Sequence, residues 1–262
     1  MRLNSAWRDE GSGLSSSSKD AAPPPSSVAV HPEYLLQNLQ ELERLVLFNR
    51  WMADTLKPFV GERVLEVGAG MGTLTEQLVP RRFYMATDID PEYVRCLRER
   101  AEGRPYLRVA ELDANNCHHF SALGATFDTA LMLNVLEHVE DESAALTNLW
   151  SVLDAGGRAI ILVPQGPSLY GTIDEIAGHY RRYTKETLQR TLEQAGFHVT
   201  HLIDFNRFSV PGWWFNGKIL KRRVFLRSHL RFVDAVVPLL KRLDRRLPWG
   251  GLSLIGIGEK LR

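Results

Sequence analysis

An α/β domain with a largely parallel sheet, covered by helices on both faces, is the fold class that the sequence predicts. Seven short apolar segments bounded by Gly and Asp alternate with segments of helical periodicity, a pattern typical of sheets with helical crossover connections. With 262 residues and 44% hydrophobic content, the chain can bury a core of ordinary size in one elaborated domain. Ligands of such sheets bind beyond the carboxyl ends of the strands, so we expect the functional site there.

The predicted elements follow the chain in order. The predicted strands cover residues 63–67, 83–87, 106–111, 127–133, 157–163, 198–204 and 252–259. Helix-length segments between them include residues 73–78, 91–100, 143–153 and 185–195. Before the first strand, apolar residues recur at helical spacing over 34–59, and Pro58 and Gly61 close that segment. We therefore expect a helical N-terminal cap on the sheet.

The domain organisation follows from changes in composition. Residues 1–32 are rich in Ser, Pro and Ala, a composition that buries too little apolar surface to offset the entropy of ordering. We predict a disordered tail there and one domain over 33–262. Within that domain, residues 33–60 form the helical cap, and residues 205–249 form an insertion before the last strand.

Composition also limits the classes of protein to which the chain can belong. The chain has 32 Lys and Arg against 31 Asp and Glu, so its overall charge does not indicate a nucleic-acid partner. Its two cysteines lack the spacing of a zinc knuckle or redox dithiol. No apolar stretch approaches the length of a spanning helix, and no signal-peptide core is present. We expect a cytoplasmic protein that is soluble or attached peripherally to a membrane.

A glycine-rich turn follows the first predicted strand. Gly68, Gly70 and Gly72 allow positive φ and close approach of a ligand to the backbone. A dinucleotide-binding turn would have glycines at G-x-G-x-x-G spacing, but position 73 is Thr. Glu66 precedes the turn, and its carboxylate would repel a pyrophosphate but suits a cationic ligand. The pattern favours a nucleoside that carries a positive charge.

Two more acidic residues stand at the ends of the next strands. Asp88 ends the second strand, about 20 residues after the turn, where a carboxylate can accept both hydroxyls of a ribose. Asp113 ends the third strand, where it can accept from an exocyclic amine of adenine. Glu66 and Asp113 also each fit a structural role as a cap of the following helix. The fourth strand ends at Leu133, and the next residue, Asn134, leaves the sheet beside the expected reacting centre.

In this order and at these strand ends, the segments over 60–165 resemble the cofactor motifs of the class I S-adenosylmethionine-dependent methyltransferases. The resemblance implies a Rossmann-like three-layer αβα sandwich with a seven-stranded sheet of order 3-2-1-4-5-7-6, the last strand antiparallel. It also implies S-adenosylmethionine as cofactor. The implied cofactor-binding residues are Glu66, Gly68, Ala69, Gly70, Gly72, Asp88, Ile89, Asp113, Ala114, Asn134 and Val135. The later segment 178–183 is more loosely similar to bacterial methyltransferases of glycan, lipid or secondary-metabolite assembly.

A second set of residues is a candidate for catalysis and acceptor binding. His138, after the fourth strand, and His179, after the fifth, are candidate general bases, although a His at position 138 can also simply support the turn. Tyr183 is a third candidate catalytic residue. The candidate acceptor-binding residues are Tyr180, Arg181, Arg182 and Trp213. No His-Glu-x-x-His sequence or Cys/His cluster is present, so we expect no metal site.

The function predicted from these motifs is methyl transfer to an oxygen or nitrogen atom of a small-molecule, glycan or lipid-linked acceptor, by in-line displacement. The sequence lacks the Asn/Asp-Pro-Pro-aromatic signature of methyltransferases that act on nucleobase amines or glutamine amides. It also lacks a Pro-Cys nucleophile for pyrimidine methylation. Two alternatives remain open: an RNA methyltransferase, and a non-catalytic partner subunit that keeps the fold.

The insertion at 205–249 is strongly basic, whereas the chain as a whole is nearly neutral. It holds eleven Lys and Arg against two Asp, a net charge of +9, whereas the whole chain carries +1. Aromatic residues lie between the basic ones, among them the pair Trp213 and Trp214. This pattern suits an anionic acceptor or an anionic membrane surface, and a solvated helix is the alternative. No RNA-binding motif is present, which argues against nucleic acid as the partner.

Overall fold

A computed structural model of the chain describes residues 44–220 and 227–261. The predicted tail over 1–32 and the first part of the predicted helical cap lie outside these residues, as do residues 221–226 of the insertion. The strands are β1 (Arg63–Val67), β2 (Phe83–Asp88), β3 (Leu107–Glu111), β4 (Phe127–Leu133), β5 (Leu153–Pro164), β6 (Phe197–Phe205) and β7 (Ser253–Lys260). All seven coincide with predicted strands, to within a few residues at their ends.

The helices cover both faces of the sheet. They are α1 (Val46–Leu56), α2 (Thr75–Leu78), α3 (Pro91–Ala101), α4 (Cys117–Ala122), α5 (Glu142–Ser151), α6 (Thr172–Ala177), α7 (Lys185–Gln194), α8 (Val210–Trp214) and α9 (Arg227–Asp244). A π-helical turn over Phe215–Ile219 continues α8. Helices α4 and α6 were not predicted, because segments of six residues are too short to show helical periodicity.

The seven strands form one sheet of order β3-β2-β1-β4-β5-β7-β6, as the resemblance implied. Strands β1 to β5 pair in parallel, and β7 runs antiparallel to both β5 and β6. Parallel pairing brings the carboxyl ends of β1, β2, β3 and β4 to one edge of the sheet. The glycine turn and the acidic residues that follow these strands therefore lie at that edge.

Apolar packing on both faces of the sheet holds the strands in place. The central strand β4 is buried almost throughout, and its side chains divide between two apolar clusters, one on each face. Ala130 and Met132 belong to one cluster, and Leu131 and Leu133 to the other. This alternation follows from the two-residue period of a strand, and burial on both faces is characteristic of parallel sheets.

Local signals set the start of the helix after β2. Asp90 caps α3, since its side chain accepts a hydrogen bond from the backbone amide of Glu92 at 2.8 Å, and Pro91 occupies the first helical position. Val94 and Leu97 form the buried face of α3. The helix therefore begins three residues after Asp88, which stays at the edge of the sheet.

The insertion packs on the N-terminal cap through a charged contact. The carboxylate of Asp234 in α9 accepts hydrogen bonds from the backbone amides of Leu47 and Phe48, at 3.3 and 2.9 Å, at the start of α1. These amides lack partners within the helix, so Asp234 caps α1 from a distant part of the chain. Among the described residues, none of the helices combines the length and the apolar character needed to cross a membrane.

Candidate active site

A cavity of about 710 Å³ opens at the carboxyl edge of the sheet. Its walls come from the turn after β1, the ends of β2, β3 and β4, and the side chains of Phe48, Asn49 and Met52 in α1. Every residue predicted to bind the cofactor lines it except Gly72. The volume lies within the range of small-molecule sites. The cap, which the sequence predicted only as a helix, thus closes one side of the cavity.

The glycine turn forms the floor of this cavity. Gly68 and Gly70 have φ values of +73° and +58°, a conformation that side chains with a Cβ rarely adopt. A Cβ at Gly68 would lie 2.3 Å from Cγ2 of Val135, whereas a Cβ at Gly70 would meet open space. The first glycine therefore permits close packing of the turn on the chain after β4, and the second keeps the cavity open.

Gly72 has a different role from the one predicted. A Cβ at Gly72 would lie 2.9 Å from Cδ2 of Leu97, so this glycine lets the turn pack against α3. The residue does not line the cavity, although its neighbours Met71 and Thr73 do. We therefore correct the prediction that Gly72 contacts the cofactor.

Asp88 and Asp113 both face the cavity and are both partly engaged by backbone amides. Asp88 accepts from the amide of Gly70 at 2.8 Å and from the amide of Asp90 at 3.0 Å. Burial raises the pKa of Asp88, and these amide hydrogen bonds oppose that effect. Asp113 accepts from the amide of Asn115 at 2.9 Å. Each carboxylate oxygen has further lone pairs, so both residues combine a structural role with the capacity to accept from a ligand.

Glu66 lies deeper than the sequence suggested. Its side chain is buried, and Oε2 accepts hydrogen bonds from the hydroxyl groups of Thr75 at 2.5 Å and Tyr84 at 2.8 Å. Burial raises the pKa of Glu66 to about 7, although both hydroxyl groups act to lower it. Glu66 therefore anchors the base of the turn, and its contact with a ligand ammonium stays a prediction.

We expect Glu66→Gln to flatten the pH dependence of stability between about pH 4.5 and 7. The pKa of Glu66 is raised from 4.5 to about 7 in the folded protein. Its contribution to the free energy of unfolding is therefore fully present below pH 4.5 and is lost as the pH rises through 7. The loss amounts to at most about 3 kcal/mol. An amide can accept from Thr75 and Tyr84 but does not titrate. Urea unfolding at pH 5 and pH 8 measures the effect.

The matched control is Glu111→Gln, which changes an exposed carboxylate at the end of β3. We expect this variant to keep the wild-type pH dependence. Buried Glu137 contributes a slope of the same sign in all three proteins, so the comparison isolates Glu66. Equal pH slopes for wild type and Glu66→Gln would contradict the assignment.

The cavity fits the predicted nucleoside cofactor. Its floor is a glycine turn with open space where a Gly70 side chain would stand, and carboxylates from two neighbouring strand ends face it. Acceptors of this kind match the hydroxyl groups of a ribose and the amine of an adenine. The residues Asp88, Asp113 and Gly70 would hold the nucleoside part of S-adenosylmethionine.

A histidine pair stands beside the cavity. His138 lines the cavity, and its ring centroid lies 4.7 Å from that of His179 in an edge-on arrangement. Desolvation by neighbouring atoms, with a contribution from His179, lowers the pKa of His138 to about 4. Nδ1 of His179 lies 2.8 Å from Oδ1 of buried Asp174. His138 is therefore neutral at pH 7, and a carboxylate orients His179.

Asp174 joins His179 to an inner network. It also accepts from Nε of Arg182 at 2.8 Å and from the amide of Gly171 at 3.0 Å. Burial acts to raise its pKa, but the hydrogen bond with His179 and the charge of Arg182 lower it by more, so the net shift is downward. The carboxylate is thus ionised at neutral pH and holds His179 in place.

Glu137 lies next to His138 in the 3-10 turn Leu136–His138 after β4. Only 1% of its surface is exposed, and neither carboxylate oxygen has a hydrogen-bond partner among the described residues. Burial raises the pKa of Glu137 to about 8, whereas the charge of Arg182 acts to lower it. Glu137 was not among the residues predicted from the sequence, although it stands in the segment that carries His138.

The structure corrects two predicted roles, those of the candidate catalytic residue Tyr183 and the candidate acceptor-binding residue Arg182. Tyr183 is buried in the core, where its hydroxyl donates to Oε2 of Glu142 at 2.6 Å. Arg182 is buried too, and it bonds Asp174 and the carbonyl of Gln165 instead of an acceptor. Both residues therefore support the site without contacting an acceptor. The ring of Trp213 is partly exposed and lies against the Arg182 guanidinium, 4.8 Å from centroid to Cζ, and its acceptor-binding role stays a prediction.

The positions of Tyr180 and Arg181 are compatible with the acceptor-binding role predicted for them. Tyr180 has 52% of its surface exposed, and its backbone amide donates to the carbonyl of Glu137 at 2.8 Å. Arg181 pairs with Glu142 at 3.1 Å and donates to the carbonyl of Glu140 at 2.9 Å. Both residues remain available beside the histidine pair, although Arg181 is partly neutralised.

Comparisons with known proteins agree with this geometry. A family model described as a methyltransferase domain matches residues 65–159. The chain is 29% identical over 131 residues to a ubiquinone/menaquinone biosynthesis C-methyltransferase of Geobacter sulfurreducens, covering 46% of this chain and 51% of that protein. It is 27% identical over 123 residues to a ubiquinone biosynthesis O-methyltransferase of Aeromonas salmonicida, with the same coverage, 46% and 51%. The chain thus spans about half the length of these curated relatives.

A solved structure extends the likeness to almost the whole fold. A S-adenosylmethionine-dependent methyltransferase from Archaeoglobus fulgidus superimposes with a TM-score of 0.56 at 20% identity, covering 87% of this chain and 99% of that one. At this identity the likeness concerns the fold, while the matched family model covers residues 65–159, which build most of the cavity.

Proposed function

Because this chain belongs to the class I S-adenosylmethionine-dependent methyltransferases, we propose that it methylates an oxygen or nitrogen atom of a small-molecule, glycan or lipid-linked acceptor. The observation that carries the proposal is the position of His138, which lines the cavity at the end of β4 and contacts the network of His179 and Asp174. Polar groups thus stand beside the cofactor cavity, where an acceptor must enter.

When bound, S-adenosylmethionine supplies a methyl group on a sulfonium, a strong electrophile. The task of the protein is therefore to align an acceptor lone pair with that methyl group and the departing sulfur. Asp88 and Asp113 hold the nucleoside, and Asn134, with φ of +56°, turns the chain after β4 along the cavity wall. The acceptor then approaches from the side of His138.

A hydroxyl acceptor must lose its proton as the methyl group arrives. His179 is the candidate base, because Asp174 fixes its ring. The lowered pKa of His138 makes its neutral ring a weak base, which can accept a hydrogen bond from the hydroxyl group but is poorly suited to take its proton. An amine or carboxylate acceptor needs less assistance. The arrangement therefore supports a hydroxyl group as the preferred acceptor.

The direct test is mass spectrometry of a cell extract incubated with the protein and a cofactor that carries a deuterated methyl group. We expect a product shifted by the mass of the labelled methyl group, absent when the protein is omitted. Calorimetric titration with S-adenosylhomocysteine accompanies the assay. Absence of both a labelled product and cofactor binding would reject the proposal in favour of a non-catalytic subunit.

The partner surface proposed for the insertion is an anionic membrane. In α9, Phe232 and Leu239 are 68% and 61% exposed, and Leu243 lies on the same helical face. Exposed basic side chains, including Arg231 and Arg242, flank this stripe. An exposed apolar stripe beside basic residues is the pattern of helices that lie in the interface of anionic bilayers. Such a surface would bring the cavity to a lipid-linked acceptor.

Flotation with liposomes tests this partner. We expect the protein to float with vesicles that contain phosphatidylserine and to remain behind with neutral ones, because the basic residues need anionic lipid. The double variant Phe232→Ser/Leu239→Ser should lose flotation, whereas Leu261→Ser, which changes an equally exposed apolar residue after β7, should retain it. Binding that is independent of lipid charge, or equal in both variants, would contradict the proposal.

A further inference from the structure

Three side chains with metal-ligating atoms converge beside the cofactor cavity. Glu137 and His138 belong to the 3-10 turn Leu136–His138 after β4, and His179 follows α6. One ligand-capable atom from each of the three lies within 4.8 Å of the others. No metal site was predicted from the sequence, because these residues lack the short spacing of known metal motifs; the fold brings together residues about 40 positions apart.

The state of Glu137 is an independent indication of a ligand. Its carboxylate is buried, and neither oxygen has a hydrogen-bond partner among the described residues. A buried carboxylate without a partner is costly, because it has lost its hydration without compensation. The nearby Arg182 guanidinium is already engaged by Asp174 and the carbonyl of Gln165. A cation at the cluster would supply the missing partner.

His179 is held in the manner of a metal ligand. Its Nδ1 is bonded to Asp174 at 2.8 Å, which leaves Nε2 free to bind a metal. Ligand histidines usually bond a carboxylate or carbonyl through the second ring nitrogen, which fixes the tautomer and ring orientation. His179 therefore has one nitrogen held and one available.

The ligand-capable atoms of the three side chains must move closer together to coordinate one ion. Two ligand atoms at about 2.1 Å from a tetrahedral ion lie about 3.4 Å apart, so the cluster must contract by roughly an ångström. His138 is exposed and can rotate, while Glu137 and His179 are held by the surrounding structure. Two imidazoles and one carboxylate leave at least one coordination position open, as in catalytic zinc sites. The open position can face the cavity because His138 lines it.

We infer that Glu137, His138 and His179 bind a divalent metal ion of the zinc type, whose open position takes an oxygen atom of the methyl acceptor. This inference rests on the proposed function and narrows its acceptor to an oxygen nucleophile. The bound hydroxyl releases its proton to water, its oxygen forms the new bond to the methyl carbon, and the electron pair of the broken carbon–sulfur bond stays with sulfur. The histidines then assist the reaction as ligands and not as general bases.

Titration of the tag-free, chelator-treated full chain with Co²⁺ tests the site, because cobalt bound by imidazole nitrogens absorbs visible light. We expect one Co²⁺ per chain, displaced by Zn²⁺. Glu137→Gln, which keeps the shape of the side chain, and His138→Ala should each weaken binding at least tenfold. The control His118→Ala removes an exposed histidine away from the cluster and should leave binding unchanged.

Titration with S-adenosylhomocysteine on the same samples separates the two hypotheses. Cofactor binding without Co²⁺ binding would overturn the metal site and leave His179 as a general base. Co²⁺ binding that is insensitive to Glu137→Gln and His138→Ala, or that is lost in His118→Ala, would equally overturn it. Absence of cofactor binding would reject the proposed function, whereas Co²⁺ binding at the cluster would still be measured.

Discussion

Gly70→Ala is expected to weaken binding of S-adenosylhomocysteine at least 100-fold, or about 3 kcal/mol, while the protein stays folded. In the protein without ligand, a Cβ at position 70 would have no atom within 4 Å, so the substitution causes no internal clash. The added methyl group would instead stand in the cavity, where the nucleoside must approach the backbone. Calorimetric titration measures the affinity, and thermal unfolding monitors the fold.

Gly103→Ala is a closely matched control. Gly103 has φ of +72°, and a Cβ there would likewise meet nothing within 4 Å, but the residue does not line the cavity. Both variants carry the same cost of placing alanine in the left-handed region, about 1–2 kcal/mol of stability. We expect Gly103→Ala to bind the cofactor like wild type. Equal affinities of the two variants would show that the turn does not hold the cofactor.

Asp174→Ala is expected to lower the free energy of unfolding by about 3–5 kcal/mol. The buried carboxylate accepts hydrogen bonds from Arg182 and the amide of Gly171 and is bonded to His179, so its removal leaves the Arg182 guanidinium buried and without its counter-charge. Removing one partner of a buried ion pair costs far more than the pair contributes. Denaturant unfolding at neutral pH measures the loss.

Two further variants make this prediction specific. Glu92→Ala removes the carboxylate of an exposed ion pair with Arg95 and should cost less than about 1 kcal/mol. Adding Arg182→Met to Asp174→Ala removes the uncompensated charge and should restore part of the lost stability. A loss below about 1 kcal/mol for Asp174→Ala, or no recovery in the double variant, would contradict the role of this buried pair.

Much of the fold could be predicted because its signals are local. The strands, the glycine turn and the helix predicted over 91–100 each depend on residues within a few positions of one another. The predictions were wrong where a polar side chain could either bind a ligand or form a buried hydrogen bond within the protein. Arg182 and Tyr183 were predicted to face an acceptor, but they lie inside the protein, since Asp174 and Glu142 satisfy their polar groups.

The sequence by itself determined the fold class, the strand order implied by the resemblance and the edge of the sheet where the cofactor cavity lies. These depend on periodicity, glycine conformations and residues at strand ends, which are properties of short segments. Only the tertiary structure decided which polar residues meet. Glu137 and His138 come together with His179 because the chain after α6 contacts the turn after β4, where the amide of Tyr180 donates to the carbonyl of Glu137 across about 40 residues of sequence. The spacing of residues along the sequence gives no information about such a contact, so the proposed metal site is visible only in the folded protein.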